Sequence, residues 1–157
     1  MIPPAGVSYG AQGVVDWDAS VGPKDEQTKA ADLPMWHKAL FMPAGKQMAH
    51  LAKFMNSMEF WKLRPQPKAL ATQPGDQSPR RFIAAASNEA KTLSLFYVPE
   101  DRTLEVSLDA LPLSPAVGWV NPRTGEGNPA VAALSGNRYQ FPTPDPGDWL
   151  LVMKAGQ

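Results

Sequence analysis

Leu104-Glu105-Val106-Ser107-Leu108-Asp109 alternates apolar and polar residues without a break. A period of two sends Leu104, Val106 and Leu108 to one side of an extended chain and their polar neighbours to the other. That is the pattern of a strand dry on one face and wet on the opposite one. Just upstream, Leu93-Ser94-Leu95-Phe96-Tyr97-Val98 is apolar on both faces. Pro99-Glu100-Asp101-Arg102 joins the two runs, which reads as a hairpin with a four-residue loop. Further strands read over 82–87, 116–121, 138–141 and 148–153. The last is apolar on both sides, so it is expected to be central in its sheet. Short strands separated by proline turns imply an antiparallel β-sandwich. No internal repeat is visible.

Composition fits this turn-rich reading. The chain has 157 residues and 17.0 kDa, enough for one ordinary domain with a core. Hydrophobic residues make up 43% and charged residues 19%, which argues against disorder of the whole chain. Seventeen prolines are about twice the usual ~5% share and favour many short segments over a helical bundle. Fifteen basic residues balance fifteen acidic ones, so there is no net positive field for nucleic acid. Cysteine is absent, which removes disulfide frameworks and thiolate metal sites. Apolar runs such as Phe82-Ile83-Ala84-Ala85-Ala86 fall far short of the ~20 residues of a membrane span. Met1-Ile2-Pro3-Pro4-Ala5-Gly6 has neither a basic n-region nor an apolar h-region. The expectation is either a cytoplasmic protein or a chain that begins partway through a larger one.

Upstream of the strands the period changes. Ala44, Met48, Leu51, Met55 and Met58 fall within about 80° of arc on a helix, opposite Lys46, His50, Lys53 and Ser57. Pro43 suits the first turn, and Pro65 and Pro67 stop propagation. A shorter helical turn over 34–41 precedes it, with Trp36 and Leu40 four apart. Residues 1–33 are a glycine- and acid-rich lead-in. The stretch 71–79 has no large apolar residue and is the best linker candidate.

Chemistry-bearing motifs are sparse. Gly6-Val7-Ser8-Tyr9-Gly10 matches the G-x-S-x-G nucleophile elbow, with His37 and His50 downstream. The elbow needs a strand before the serine and a helix after it. Here five residues precede it and strand-like sequence follows, so coincidence is the better reading. Asp16 and Asp18 flank Trp17 and point the same way on a strand end, too close for separate acid and nucleophile roles. Two histidines thirteen apart do not describe a metal site. Six Lys/Arg face one acid, Glu59, between Met35 and Lys68; a solvated helix face accounts for this excess. Trp36, Trp61, Trp119 and Trp149 lie in apolar patterns that favour core positions. Trp149 opens the most apolar strand. Trp119 is left open between core and sugar-stacking platform. In Asn121-Pro122-Arg123-Thr124-Gly125, Pro122 presets one corner, Gly125 permits a left-handed exit, and Arg123 projects a five-donor fork. Arg123 either ties the turn to a neighbouring carbonyl or carboxylate, or contacts a ligand.

Three segments together resemble one family. They are Leu33-Pro34-Met35-Trp36-His37-Lys38-Ala39-Leu40 continuing through Pro43-Ala44-Gly45-Lys46-Gln47-Met48 to Trp61-Lys62-Leu63-Arg64-Pro65, then Trp119-Val120-Asn121-Pro122-Arg123-Thr124-Gly125, then Pro146-Gly147-Asp148-Trp149-Leu150-Leu151. Their order and spacing are similar to the carboxyl-terminal part of the apiosidase-like glycoside hydrolases. In that family a catalytic (β/α) barrel is followed by a small all-β domain, sometimes labelled collagen-binding. Gly6-Val7-Ser8-Tyr9-Gly10-Ala11-Gln12-Gly13 resembles the last barrel strand, and the 44–58 helix the last barrel helix. Two positions depart from the pattern: Asn121 stands where aspartate is common, and Val15 where a large residue is expected.

The resemblance implies a mainly β fold: an antiparallel β-sandwich over 80–157, preceded over 1–70 by an amphipathic helix and a remnant of the (β/α) barrel. A barrel site draws residues from several strand ends, so the family's catalytic residues map onto none here. Tyr9 and Trp17 correspond at most to positions near the mouth of the substrate cleft, and Trp119 and Arg123 complete the candidate ligand-binding set. The function expected is a non-catalytic accessory β-sandwich of a polysaccharide-degrading glycoside hydrolase, stabilising the barrel or aiding carbohydrate recognition. A collagen-like protein-binding module and a serine hydrolase using Ser8 are the other readings. No catalytic residue, metal or cofactor is expected. The partners named are a polysaccharide or oligosaccharide and a second copy of the chain, not nucleic acid or membrane. Residues 6–17 would leave strand edges unpaired, and the helix stripe would lose the sheet it once faced, so either disorder before about Leu33 or self-association is expected. The family resemblance implies a secreted or periplasmic location.

Overall fold

The computed structural model describes residues 35–100, 102–108 and 115–156. A single helical turn, α1 (Trp36–Ala39), leads into the long helix α2 (Pro43–Asn56), with Pro43 in its first turn. Nine strands follow among the described residues: β1 (Arg64–Pro65), β2 (Ala84–Ser87), β3 (Leu93–Val98), β4 (Thr103–Ser107), β5 (Pro115–Val120), β6 (Gly127–Pro129), β7 (Ala133–Ser135), β8 (Arg138–Pro142) and β9 (Trp149–Ala155). They form a six-stranded sheet ordered β1-β2-β3-β9-β5-β6 and a three-stranded sheet ordered β4-β8-β7. Every pairing between named strands is antiparallel. The fold is mainly β, and β9 is central as its two-sided apolar pattern requires.

The hairpin expected between β3 and β4 does not form. Strand β3 pairs with β2 on one edge and β9 on the other, while β4 pairs with β8 in the second sheet. With both of its edges taken, β3 offers no ladder to the strand that follows it. The chain therefore crosses between layers after Val98. Glu100 meets both Arg81 and Arg102 at this crossing; on its far side Arg102 N–H donates to the Thr143 hydroxyl and Thr143 N–H to the Arg102 carbonyl.

Two apolar clusters explain the layering. Between the sheets, Phe96, Val98, Trp119, Trp149, Leu151 and Met153 meet Leu104, Val106 and Phe141. Trp119 and Trp149 pack edge to face at 6.4 Å between ring centroids, an arrangement worth ~0.5–1.5 kcal/mol beyond the area it buries. On the outer face of the large sheet, Ala86, Leu93, Leu95 and Val152 meet Met58 and Leu63, with Phe54, Phe60 and Val120 packed alongside. The large sheet is thus dry on both faces in its middle, which is why β3 and β9 read as unbroken apolar runs.

The sheet covers the C-terminal end of the α2 stripe, where Met58 is buried in the outer cluster and Phe54 packs alongside it. Its buried arc is turned away from Ala44, which is exposed, toward Phe54 and His50, which are half-buried. Phe54 lies outside the expected stripe, yet its bulk and position bring the helix down on that side. His50, expected on the solvated face, instead packs against the Gly125 turn.

Residues 64–71 stitch one edge of the sandwich. Arg64 and Pro65 pair with Ser87 and Ala86 in the large sheet, and Leu70 then bridges Val106 in the small one. Proline is tolerated here because an edge strand needs no outward donor. The linker candidate that follows is docked: Gln73 donates to the Ile83 carbonyl at 2.9 Å and accepts from the Ile83 N–H at 3.0 Å. Gly75 lies so close to Phe82 that a Cβ would stand 2.6 Å from the Phe82 Cα. No helix among the described residues is long and apolar enough to cross a membrane.

Leu63 is fully buried where α2 and the sheet meet. Leu63→Ala should cost about 2–5 kcal/mol by transfer and cavity effects, and should speed amide exchange in α2 more than in β8. A loss confined to a few tenths of a kcal/mol, or equal acceleration in both elements, would contradict this layering.

Candidate functional site

The Asn121–Glu126 loop between β5 and β6 is closed by its own backbone: Gly125 N–H donates to Asn121 O at 2.8 Å and Asn121 N–H to Glu126 O at 2.9 Å. Gly125 takes a left-handed φ of +76°, a conformation that costs a side-chain-bearing residue. The Asn121 side-chain oxygen accepts from Arg123 N at 2.9 Å and from Arg123 Nε at 3.1 Å. Thr124 donates to Glu126 at 3.1 Å.

Arg123 reaches from this loop to the segment before β9. Its guanidinium lies 3.6 Å from a carboxylate oxygen of Asp145 and 3.6 Å from one of Asp148. It also points at the Pro146 carbonyl and stands 5.9 Å from the Trp149 ring centroid. These are loose, partly solvated ion pairs, individually worth little, but several of them fix one side chain. Gly147 takes a φ of +123°, which L side chains rarely adopt, and a Cβ there would sit 2.0 Å from Arg123 Nη1 and displace the guanidinium. Trp149 Nε1 donates to the Asp145 carbonyl at 3.1 Å and to its carboxylate at 3.2 Å. Tyr97 donates its hydroxyl to Asp148 at 3.3 Å. Tyr97, Asp148, Arg123, Asp145 and Trp149 therefore form one connected polar–aromatic cluster.

Beside it lies a groove of about 370 Å³ between α2 and the loop. His50, Lys53, Phe54 and Ser57, spaced as one helix face, form one wall. Val120, Asn121, Pro122, Gly125 and Leu150 form much of the other wall and the floor. Leu150 pairs with Tyr97 on one side and Val120 on the other, so the groove and the cluster are adjacent on the sheet.

The four residues read from the sequence as ligand contacts are not all brought together. Trp119 is only 2% exposed and presents no free ring face, because it packs in the inter-sheet core against Trp149. Arg123 ties the turn to two carboxylates and a carbonyl. Tyr9 and Trp17, together with Ser8, Asp16 and Asp18, lie outside the described residues. His37 is exposed on α1, with its ring edge-on to Trp36, far along the chain from the His50 wall. No group of three or more metal-ligating side chains occurs among the described residues. Of the basic excess around α2, Lys62 pairs with Glu59 at 2.7 Å and Arg64 caps the Trp61 and Leu63 carbonyls. Tyr97, Asp145 and Asp148 were not singled out as site residues. The signal for the two acids was the pair of carboxylates flanking Pro146-Gly147, a spacing that suits an arginine fork.

Burial, then the charge of Asp148 and the bond to it, push the Tyr97 phenol above its ordinary value of about 10. The neutral phenol is thus favoured by folding. That contribution is fully present below the ordinary value and is lost as pH rises through the raised one. Denaturation midpoints measured from about pH 9 to about pH 11 should fall more steeply for the parent chain than for Tyr97→Phe. Parallel slopes would contradict the coupling.

Residues 2–62 match the model of the apiosidase-like catalytic domain. No curated protein matches the sequence. A solved structure described as a glycoside hydrolase superposes with a TM-score of 0.67 at 16% identity, covering 84% of this chain and 30% of that one. A family 5 glycoside hydrolase from Bacteroides vulgatus gives a TM-score of 0.67 at 16% identity, covering 87% of this chain and 30% of that one. The chain therefore spans about a third of the length of these structures, which share its fold. The family match, over residues 2–62, supports a partial member of the apiosidase-like family, while the solved glycoside hydrolases share the fold.

Proposed function

We propose that this chain is a non-catalytic accessory portion of a polysaccharide-degrading glycoside hydrolase, in which the β-sandwich stabilises the catalytic barrel or aids carbohydrate recognition. The observation that carries it is the outer cluster of the large sheet. Phe54, Met58 and Phe60 belong to the segment that matches the catalytic-domain family, and they pack with Ala86, Leu93, Leu95 and Val152 of the sandwich. Burying one such side chain contributes roughly 1.5–3 kcal/mol, so a shared cluster of this size holds the helix and the sheet as one body. A sandwich attached in this way braces the last element of a barrel and fixes its orientation. In this reading residues 1–70 derive from the end of the barrel and 80–157 are the sandwich.

Glycoside hydrolysis requires two carboxylates held at about 5–5.5 Å for retention or ~6.5–9.5 Å for inversion. A barrel assembles such a pair from several strands, and this chain carries the sequence of one. The isolated chain should therefore show no turnover of aryl glycosides above the rate in buffer. Robust hydrolysis that disappears in Asp16→Asn or Asp18→Asn would overturn the non-catalytic reading.

A further inference from the structure

We infer that two copies of this chain pair through the exposed apolar corner between α1 and α2 and the uncharged face of α2 that follows it. Leu40, Phe41 and Met42 are consecutive large apolar side chains, 46%, 80% and 36% exposed. A single exposed apolar residue is ordinary, whereas a contiguous exposed patch marks an interaction surface. Among the described residues, the other exposed large hydrophobics stand singly along the chain.

The helix that leaves this corner has two sides already engaged. The sheet takes the end of the stripe at Met58, and the groove takes His50, Lys53, Phe54 and Ser57. Gly45, Ala49, Ala52 and Asn56 fall within about 60° of arc on the remaining side. None of them is charged, lines the groove or belongs to an apolar cluster. Ala49, Ala52 and Asn56 are exposed. Short side chains in the middle of a helix let a second helix approach closely.

This relief is complementary to itself. The bulky corner lies at the N-terminal end of α2 and the shallow part in its middle. In an antiparallel pair with a two-fold axis between Gly45 and Ala49, each corner sits over the shallow part of the other copy. Such isologous contact covers the same patch on both copies. Charge permits it. Lys46 and Lys53 lie about 80° round the helix, toward the groove, and stay at the rim. Fifteen basic and fifteen acidic residues leave no net repulsion between copies. A strongly charged partner would find no counter-charge on the face itself. The exposed side chains of this surface offer on the order of 500 Å² per copy, or about 1,000 Å² for the pair, the low end of specific interfaces. The dimer is therefore weak and concentration-dependent.

The test is sedimentation equilibrium of the whole chain from about 10 μM to about 1 mM, the range of weak specific association. The weight-average mass should rise from 17.0 kDa toward twice that value. Phe41→Glu and Ala49→Glu, both at exposed positions, should each weaken association at least about tenfold, the scale of a central interface residue, and keep the parent amide spectrum. Phe41→Leu should retain association. Leu134→Glu, at an exposed apolar position on β7, should leave it unchanged. A mass constant at that of one chain would overturn the inference, whether the face is bare or covered by residues 1–34 of the same chain. Association untouched by both glutamates, or abolished by Leu134→Glu, would place the contact elsewhere and overturn it. Growth beyond twice the mass would overturn the closed two-fold arrangement.

Discussion

Leu95 and Val152 are cross-strand partners buried on one side of the six-stranded sheet; their neighbours Phe96 and Leu151 are partners buried on the other. This two-sided burial of β3 and β9 is the constraint on which the rest of the structure depends. A strand that must be dry on both faces needs a layer on each. The three-stranded sheet supplies one layer through Leu104, Val106 and Phe141, and α2 with the turn after it supplies the other through Met58 and Leu63. The sheet is therefore the middle of the molecule.

That arrangement decides what the candidate site can be. Strand β5 lies beside β9, so the β5–β6 loop and the segment entering β9 emerge close together, and Arg123 spans the gap between them. Because α2 lies across the outer face of the same sheet, its His50–Ser57 side closes a groove against that loop. The helix comes from the segment that matches the catalytic-domain family, the loop from the sandwich. The groove thus exists only where the two portions meet, and the packing that braces the helix also shapes the wall.

The parts of this fold legible in the sequence are those with a clean period. Strands β2, β3, β4, β5, β8 and β9 were read within a few residues, and so was α2. Strands β1, β6 and β7 were not. Each spans two or three residues, and β1 and β6 contain proline, so no alternation could accumulate. The hairpin was misread because loop length is a local signal, whereas the partner of β3 was decided by β9, more than fifty residues away. The sequence stripe of α2 is made of Ala44, Leu51 and three methionines, and Phe54 falls outside its arc. In the site, the turn glycines and the reach of Arg123 followed from residue chemistry. The partners Asp145, Asp148 and Tyr97 depended on strand order, which no local pattern encodes. Trp119 had two readings in the sequence, and only the closing of the second sheet over it decided for the core.

The central claim, that the helix and the sandwich are one cooperative body joined through the outer cluster, is tested most directly by a double-mutant cycle. Met58 lies just beyond α2 and Val152 on β9, and both are buried in that cluster. Unfolding free energies of Met58→Ala, Val152→Ala and the double variant should give a coupling of about 0.5–3 kcal/mol, as for residues that share a packed site. A coupling indistinguishable from zero, with α2 melting separately from the strands, would contradict the account.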